Sequence, residues 1–168
     1  VVNLLENKVV LIKTKDTETR VTGFENITEA ENLALAGEDV PVGQYAREIF
    51  TNLDIMDQVE AMEINEGKNV TEVLAAVTQG SNEVGVVYAT DAASVADQVE
   101  IIAEASSDML ETPVLYPVGM IEDEEALPEE KVAAETFFEY LQTENALKVF
   151  EEHGFSPYTA EVEENDTE

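Results

Sequence analysis

The stretch that most restricts what this chain can fold into is Leu33 to Phe50, LALAGEDVPVGQYAREIF. Leu33-Ala34-Leu35-Ala36 is a short apolar run closed by Gly37 and acidic turn residues, the pattern of a buried strand. Beyond Pro41-Val42-Gly43 the period changes. Tyr45, Ala46, Ile49, Phe50 and Leu53 then fall on one face of a helix that ends near Asp54. Pro41 disfavours helix at Val40, and Gly43 lets the backbone approach a neighbour closely. A strand that passes through such a turn into a helix leaves N–H groups unpaired at the positive end of the helix dipole. That arrangement receives anions in some α/β proteins and is a plain connection in many others. The residues of this stretch leave both readings open.

A second strand–turn–helix unit follows. Asn69-Val70-Thr71-Glu72 has the form of an N-cap with an acceptor three residues on. Val70, Val73, Leu74 and Val77 continue as a helical stripe that Gly80 stops. Val84–Tyr88, VGVVY, reads as a buried strand, with Thr90 or Asp91 capping a short helix to about Ala96. Tyr88 stands where that strand ends, and strand carboxyl ends are where open α/β sheets bind ligands. A core tyrosine with a satisfied hydroxyl fits the same residues.

The remaining elements are simpler. Lys8–Lys13, KVVLIK, predicts a strand covered on both faces, and Thr14–Thr28 a polar loop with a helical turn at Asn26–Glu29. Val59–Ile64 alternates weakly as a short strand, and Val99–Ala103 is another. Glu104–Thr112 is a polar loop, and Val114–Ile121 contains Pro117, which confines it to an edge or crossing position. Pro128 opens a helix with Val132, Ala133, Thr136, Phe137, Tyr140 and Leu141 on one face. A second helix from about Glu144 closes at His153-Gly154, with the histidine as terminator rather than catalyst. Thr159–Glu168 predicts a disordered acidic tail.

Charge and composition exclude several functions. The 38 acidic residues against 8 basic give a net charge of −30, which repels nucleic acid and anionic membrane. The acidic residues do not follow the spacing of a calcium loop, and no P-loop, GxGxxG, HExxH or GxSxG motif occurs. No catalytic and no metal-ligating residue is therefore assigned, and an enzyme is not expected. No apolar run approaches the ~18 residues of a membrane span. Cysteine is absent, which removes thiol chemistry and is compatible with an extracytoplasmic bacterial protein. The sequons at Asn26, Asn69 and Asn165 read as coincidental, since Asn69 already has a capping role. The chain opens at Val1, so a processed or truncated start is expected.

Four stretches, in this order and spacing, carry a resemblance. They are Val40–Phe50, Asn69–Ala92 (NVTEVLAAVTQGSNEVGVVYATDA), Tyr116–Ile121 (YPVGMI) and Phe137–Phe155 (FFEYLQTENALKVFEEHGF). Together they resemble the molybdate-binding proteins of bacterial ABC transporters, from about Asn3 to Tyr158. The resemblance implies an α/β fold of the type II periplasmic-binding kind: two lobes, each a mixed, mostly parallel sheet with flanking helices, joined by crossing strands. It implies no catalysis and no cofactor, only a tetrahedral oxyanion, molybdate or tungstate, as ligand. By the resemblance one lobe supplies main-chain N–H groups at Val42 and Val70 and the hydroxyl of Tyr88. Thr71 stands where the family often carries a basic residue.

The resemblance also sets expectations for organisation. Residues 3–116 are expected to form the second lobe, residues 117–158 a crossing strand and C-terminal helices of the first lobe, and 159–168 the tail. The half-lobe with its serine turns is missing from this chain, so a truncated product is expected. Phe137, Phe138, Tyr140 and Phe150 would then lack part of their partner surface and favour self-association. The implied role is extracytoplasmic capture of the oxyanion and delivery to an ABC permease. Three other readings stay open: the effector-sensing domain of a transcription regulator, a binder of another oxyanion such as sulfate, and an acidic interaction module whose two turns are merely capped helices.

Overall fold

Alternation along the third strand divides the core in two. The computed structural model describes residues 1–160, and in it Leu33 and Leu35 face one side of a sheet while Ala34 and Ala36 face the other. The elements are β1 (Val2–Asn7), β2 (Val9–Thr14), β3 (Asn32–Ala36), α1 (Pro41–Asn52), α2 (Met56–Glu60), β4 (Glu63–Gly67) and α3 (Val70–Thr78). They continue as β5 (Val84–Tyr88), α4 (Ala89–Ser94), β6 (Val99–Glu104), β7 (Val114–Val118), α5 (Pro128–Leu141), α6 (Glu144–Glu152) and β8 (Ser156–Pro157). A 3-10 segment, Phe24–Glu29, precedes β3.

The larger sheet has the order β4-β3-β5-β2-β6. β3 is parallel to β4 and β5, whereas β2 runs antiparallel to both β5 and β6. Both faces are covered. On one, Ala46, Ile49 and Phe50 of α1 pack with Phe24, Ile27, Leu33 and Leu35. On the other, Val73 and Val77 of α3 and Ala92 of α4 pack with Val10, Ile12, Ala34 and Val87. Full burial of each large side chain here is worth about 1.5–3 kcal/mol. This mixed α/β architecture is the expected fold class.

A smaller sheet, β7-β1-β8, is antiparallel throughout. Pro117 sits in β7 at the sheet edge, facing Asn3 beside a register shift in β1, so its missing N–H breaks no central ladder. β8 pairs Ser156 and Pro157 with Glu6 and Leu5, which returns the chain end to its beginning.

Two local expectations need correction. Val59 and Glu60 belong to helix α2, not a strand; Asp54 at φ 58 redirects the chain after α1, and Val59 turns into the core beside Phe50. The strand β4 starts only at Glu63. The short helix after β5 ends at Ser94, and its N-cap is Tyr88; Asp91 reaches back to that residue's N–H rather than standing at the cap itself. The apolar face of α5 agrees with the expectation that Phe137 and Tyr140 lack part of their partner surface: none of the helix's residues is buried, and Phe137 is 60% and Val132 61% exposed. The expected acidic tail lies outside the described residues from 161 onward.

Candidate functional site

Parallel pairing brings the three predicted residues to one edge. β3, β4 and β5 point the same way, and their carboxyl ends lead into α1, α3 and α4. Val42 is the second residue of α1, Val70 the first of α3, and Tyr88 the last of β5. The two helix-start turns are tied together by the Gly37 N–H, which donates to the Gly67 carbonyl at 3.0 Å.

The α1 start is held without a side-chain cap. Val40 N–H donates to Gly37 carbonyl, and the first helical bond is Gln44 N–H to Val40 carbonyl, both at 3.0 Å. The N–H groups of Val42 and Gly43 have no acceptor among the described residues. Val42 buries its side chain among Ala36, Val73 and Val87, so what it offers at the edge is main chain. Gly43 is required for close packing: a Cβ there would lie 2.2 Å from the Gly37 oxygen and 2.4 Å from the Ala36 oxygen. The neighbour that Gly43 approaches is thus the end of its own strand. Arg47 closes the other side, donating to the carbonyls of Ala36 at 2.7 Å and Gly43 at 3.0 Å while pairing with Glu66 at 3.3 Å.

At α3 the capping arrangement is as expected. Asn69 Oδ1 accepts from Glu72 N–H at 2.9 Å, and Glu72 Oε2 accepts from Lys68 N–H at 2.8 Å. The N–H groups of Val70 and Thr71 remain without acceptors among the described residues. Two helices of 12 and 9 residues therefore present free donors and the positive ends of their dipoles at one edge.

Tyr88 stands next to them. Its N–H donates to Asp91 Oδ2 at 3.0 Å, and its hydroxyl has no partner among the described residues. Burial first, then the nearby Tyr116, Tyr45 and Asp91, pushes the hydroxyl well above the usual tyrosine range. It therefore stays a donor at physiological pH. Burial also raises the Asp91 carboxyl, opposed by its bond from the Tyr88 N–H. Two surface clefts, of about 260 and 440 Å3, lie elsewhere, one beside Glu66 and Glu72 and one between Thr14 and Gln98. The three predicted residues share an open edge rather than either cleft.

One buried polar residue was not singled out from the sequence. Asn7, 2% exposed, hydrogen-bonds Thr90 Oγ1 and Tyr116 Oη through Nδ2 and accepts from Lys8 N–H. It lies between two apolar runs, and no local pattern distinguishes it from a loop asparagine. His153, by contrast, takes the expected terminating place: its Nδ1–H donates to the Val149 carbonyl at 2.8 Å, and Gly154 follows at φ 92.

Comparison with known proteins gives a consistent picture. The chain is 41% identical over 154 residues to the "Putative ABC transporter substrate-binding lipoprotein YvgL" of Bacillus subtilis, covering 91% of this chain and 56% of that protein. It is 36% identical over 117 residues to the molybdate-binding protein ModA of Haemophilus influenzae, covering 70% of this chain and 43% of the relative. The chain thus spans about half the length of the curated relatives it matches. Among solved structures, the "substrate binding domain of putative molybdenum ABC transporter from Clostridium difficile" superposes with a TM-score of 0.81 at 31% identity, over 94% of this chain and 66% of the other. The profile described as "Bacterial extracellular solute-binding protein" matches residues 1–156, and with these relatives beside it the chain belongs to that family of solute-binding proteins.

Proposed function

We propose that this chain is the lobe of an ABC-transporter substrate-binding protein that holds a tetrahedral oxyanion, molybdate or tungstate, through Val42, Val70 and Tyr88. The supporting observation is the shared edge: unpaired N–H groups at two adjacent helix starts beside a protonated tyrosine hydroxyl. Neutral, preorganised donors hold a dianion without a salt bridge and suit a chain of net charge −30. Discrimination against sulfate and phosphate then comes from cavity size and donor number. Residues 3–116 form this lobe in our reading, and 117–158 supply a crossing strand and helices of the opposing lobe. The protein acts outside the cytoplasm and delivers its ion to a membrane permease, with neither catalysis nor nucleic-acid binding.

The test is a calorimetric titration of molybdate, tungstate, sulfate and phosphate into this chain and into the full-length product of its gene. Saturable binding of molybdate or tungstate by the full-length protein is expected, weakened by roughly 0.5–3 kcal/mol in Y88F for the lost hydroxyl donor. Indifference to both ions would remove the ligand assignment. Equal binding by Y88F would remove Tyr88 from the site.

A further inference from the structure

The Asn7 amide has a fixed orientation. Its Oδ1 accepts the Lys8 N–H at 2.9 Å, which only an oxygen can do, so Nδ2 faces the opposite way. An amide nitrogen donates and does not accept. Thr90 Oγ1 at 3.0 Å and Tyr116 Oη at 3.4 Å are therefore its acceptors, and each hydroxyl must direct its own proton elsewhere. The Tyr116 ring is held as well. It meets Phe155 edge-on at 5.2 Å, and Phe155 meets Phe150 in the same manner at 6.0 Å. In the β1–β7 ladder Tyr116 faces Leu5, two residues from Asn7 and on the same side of the sheet.

The position of this pair relates it to the oxyanion edge. Thr90 lies two residues beyond Tyr88, and Ala89 N–H donates to Lys8 carbonyl at 2.8 Å, which pins the end of β5 to the β1–β2 junction. Tyr116 is the foremost of the ionisable neighbours acting on the Tyr88 hydroxyl. Asn7 is 2% exposed, whereas Tyr116 is 38% exposed, so the buried amide lies behind a hydroxyl-bearing ring that reaches solvent.

We propose that Tyr116 is a further hydroxyl donor to the bound oxyanion, beside Tyr88, and that Asn7 is the positioning residue that turns its proton toward the ion. This rests on the oxyanion reading above. The amide delivers a directed donor without adding positive charge, in keeping with the neutral donors of the helix starts. It also links the ion to β7, a strand of the smaller sheet, whereas the other three donors stand at the carboxyl edge of the larger one.

Molybdate titration of the full-length protein and its Y88F, Y116F, N7D and N7D/Y116F variants tests this, with a thermal midpoint recorded for each. Y116F is expected to bind about 3- to 30-fold more weakly, the loss of one hydroxyl donor. In N7D the carboxylate accepts the Tyr116 proton instead of releasing it. The charge of the carboxylate weakens binding in both backgrounds, so the excess loss where Tyr116 is present measures orientation. If N7D does not fold, N7S carries the Asn7 arm, with a loss expected only where Tyr116 is present. Wild-type affinity in Y116F alongside a weakened Y88F overturns the inference and leaves the oxyanion reading standing. Equal losses from the Asn7 change in both backgrounds overturn the positioning role. A wild-type protein that takes up neither molybdate nor tungstate overturns both readings.

Discussion

Gly37, immediately beyond β3, is joined to Gly67, the last paired residue of β4, by a single backbone bond of 3.0 Å, N–H to carbonyl. This bond continues the parallel ladder into the two turns and keeps the starts of α1 and α3 side by side. Loss of the register by one residue would move Val42 away from Val70 and turn Leu33 and Leu35 to the wrong face. The edge is therefore as rigid as the sheet that carries it.

Gly43→Ala is expected to destabilise the protein. In an unconstrained helix the change would gain about 0.8–1 kcal/mol. Here the added Cβ meets two carbonyl oxygens at 2.2 and 2.4 Å, both backbone, and neither can rotate away. Overpacking of this kind costs about 1–3 kcal/mol or more and outweighs the helical gain. A lower urea midpoint with unchanged slope checks it; a more stable variant would show that the turn yields.

Asn69→Ala removes the acceptor of the Glu72 N–H at the α3 start. A stability loss of about 1 kcal/mol is expected, while Asn69→Asp keeps the cap. Urea denaturation of both variants is the measurement. An alanine variant as stable as the parent would show that water replaces the cap without cost.

Tyr88 sets an alkaline limit. Burial raises its hydroxyl above the ordinary tyrosine value of about 10, so the folded state keeps a proton that the unfolded chain releases. The contribution is complete below about pH 10 and is lost as pH rises from there toward the folded value. Stability of the parent is expected to fall more steeply above pH 10 than that of Tyr88→Phe. Parallel curves for the two proteins would contradict the raised hydroxyl of this half-buried tyrosine.

Asp91→Asn keeps an oxygen to accept from Tyr88 N–H but removes a carboxylate beside the hydroxyl. Burial raises the Asp91 carboxyl, so its contribution is present at acid pH and is lost as pH rises above the usual carboxylate range. At pH 7 the variant is expected to be at least as stable as the parent and to bind molybdate more tightly. Calorimetry at fixed salt decides; weaker binding would place Asp91 among the groups the ion needs.

The net charge of −30 predicts an unusual salt response. Anion capture is slowed by long-range repulsion, which ions screen over about 10 Å at 0.1 M. Stopped-flow association of molybdate is therefore expected to accelerate as ionic strength rises. Deceleration would mean that local positive potential at the helix starts dominates the approach.

Much of this was legible in the residues. The runs KVVLIK, LALA and VGVVY became β2, β3 and β5 to within a residue at each end, and the stripes after Pro41, Asn69 and Pro128 became α1, α3 and α5, because strand and helix periods are local properties. Val59–Ile64 misled because its weak alternation suits either element, and burial of Val59 beside Phe50 decided for a helix. β1 was not separated from its surroundings, since its partners β7 and β8 lie more than a hundred residues away. The apolar stripe of α5 predicted a helix, but its exposure followed only from the resemblance, for a stripe states what a helix is able to bury and not what is there to cover it.

The sequence by itself determined the helix starts: Pro41, Gly43 and the Asn69–Glu72 cap specify where each helix begins and which N–H groups it leaves unpaired, through interactions within a few residues. Tertiary structure alone decided that Val42, Val70 and Tyr88 stand at one edge of the sheet, because that placement depends on the parallel order of β4, β3 and β5. It alone joined Asn7 to Tyr116, residues that share a sheet face only once β1 and β7 have paired. Short-range preferences select elements, whereas the burial of both sheet faces selects the register that assembles them into a site.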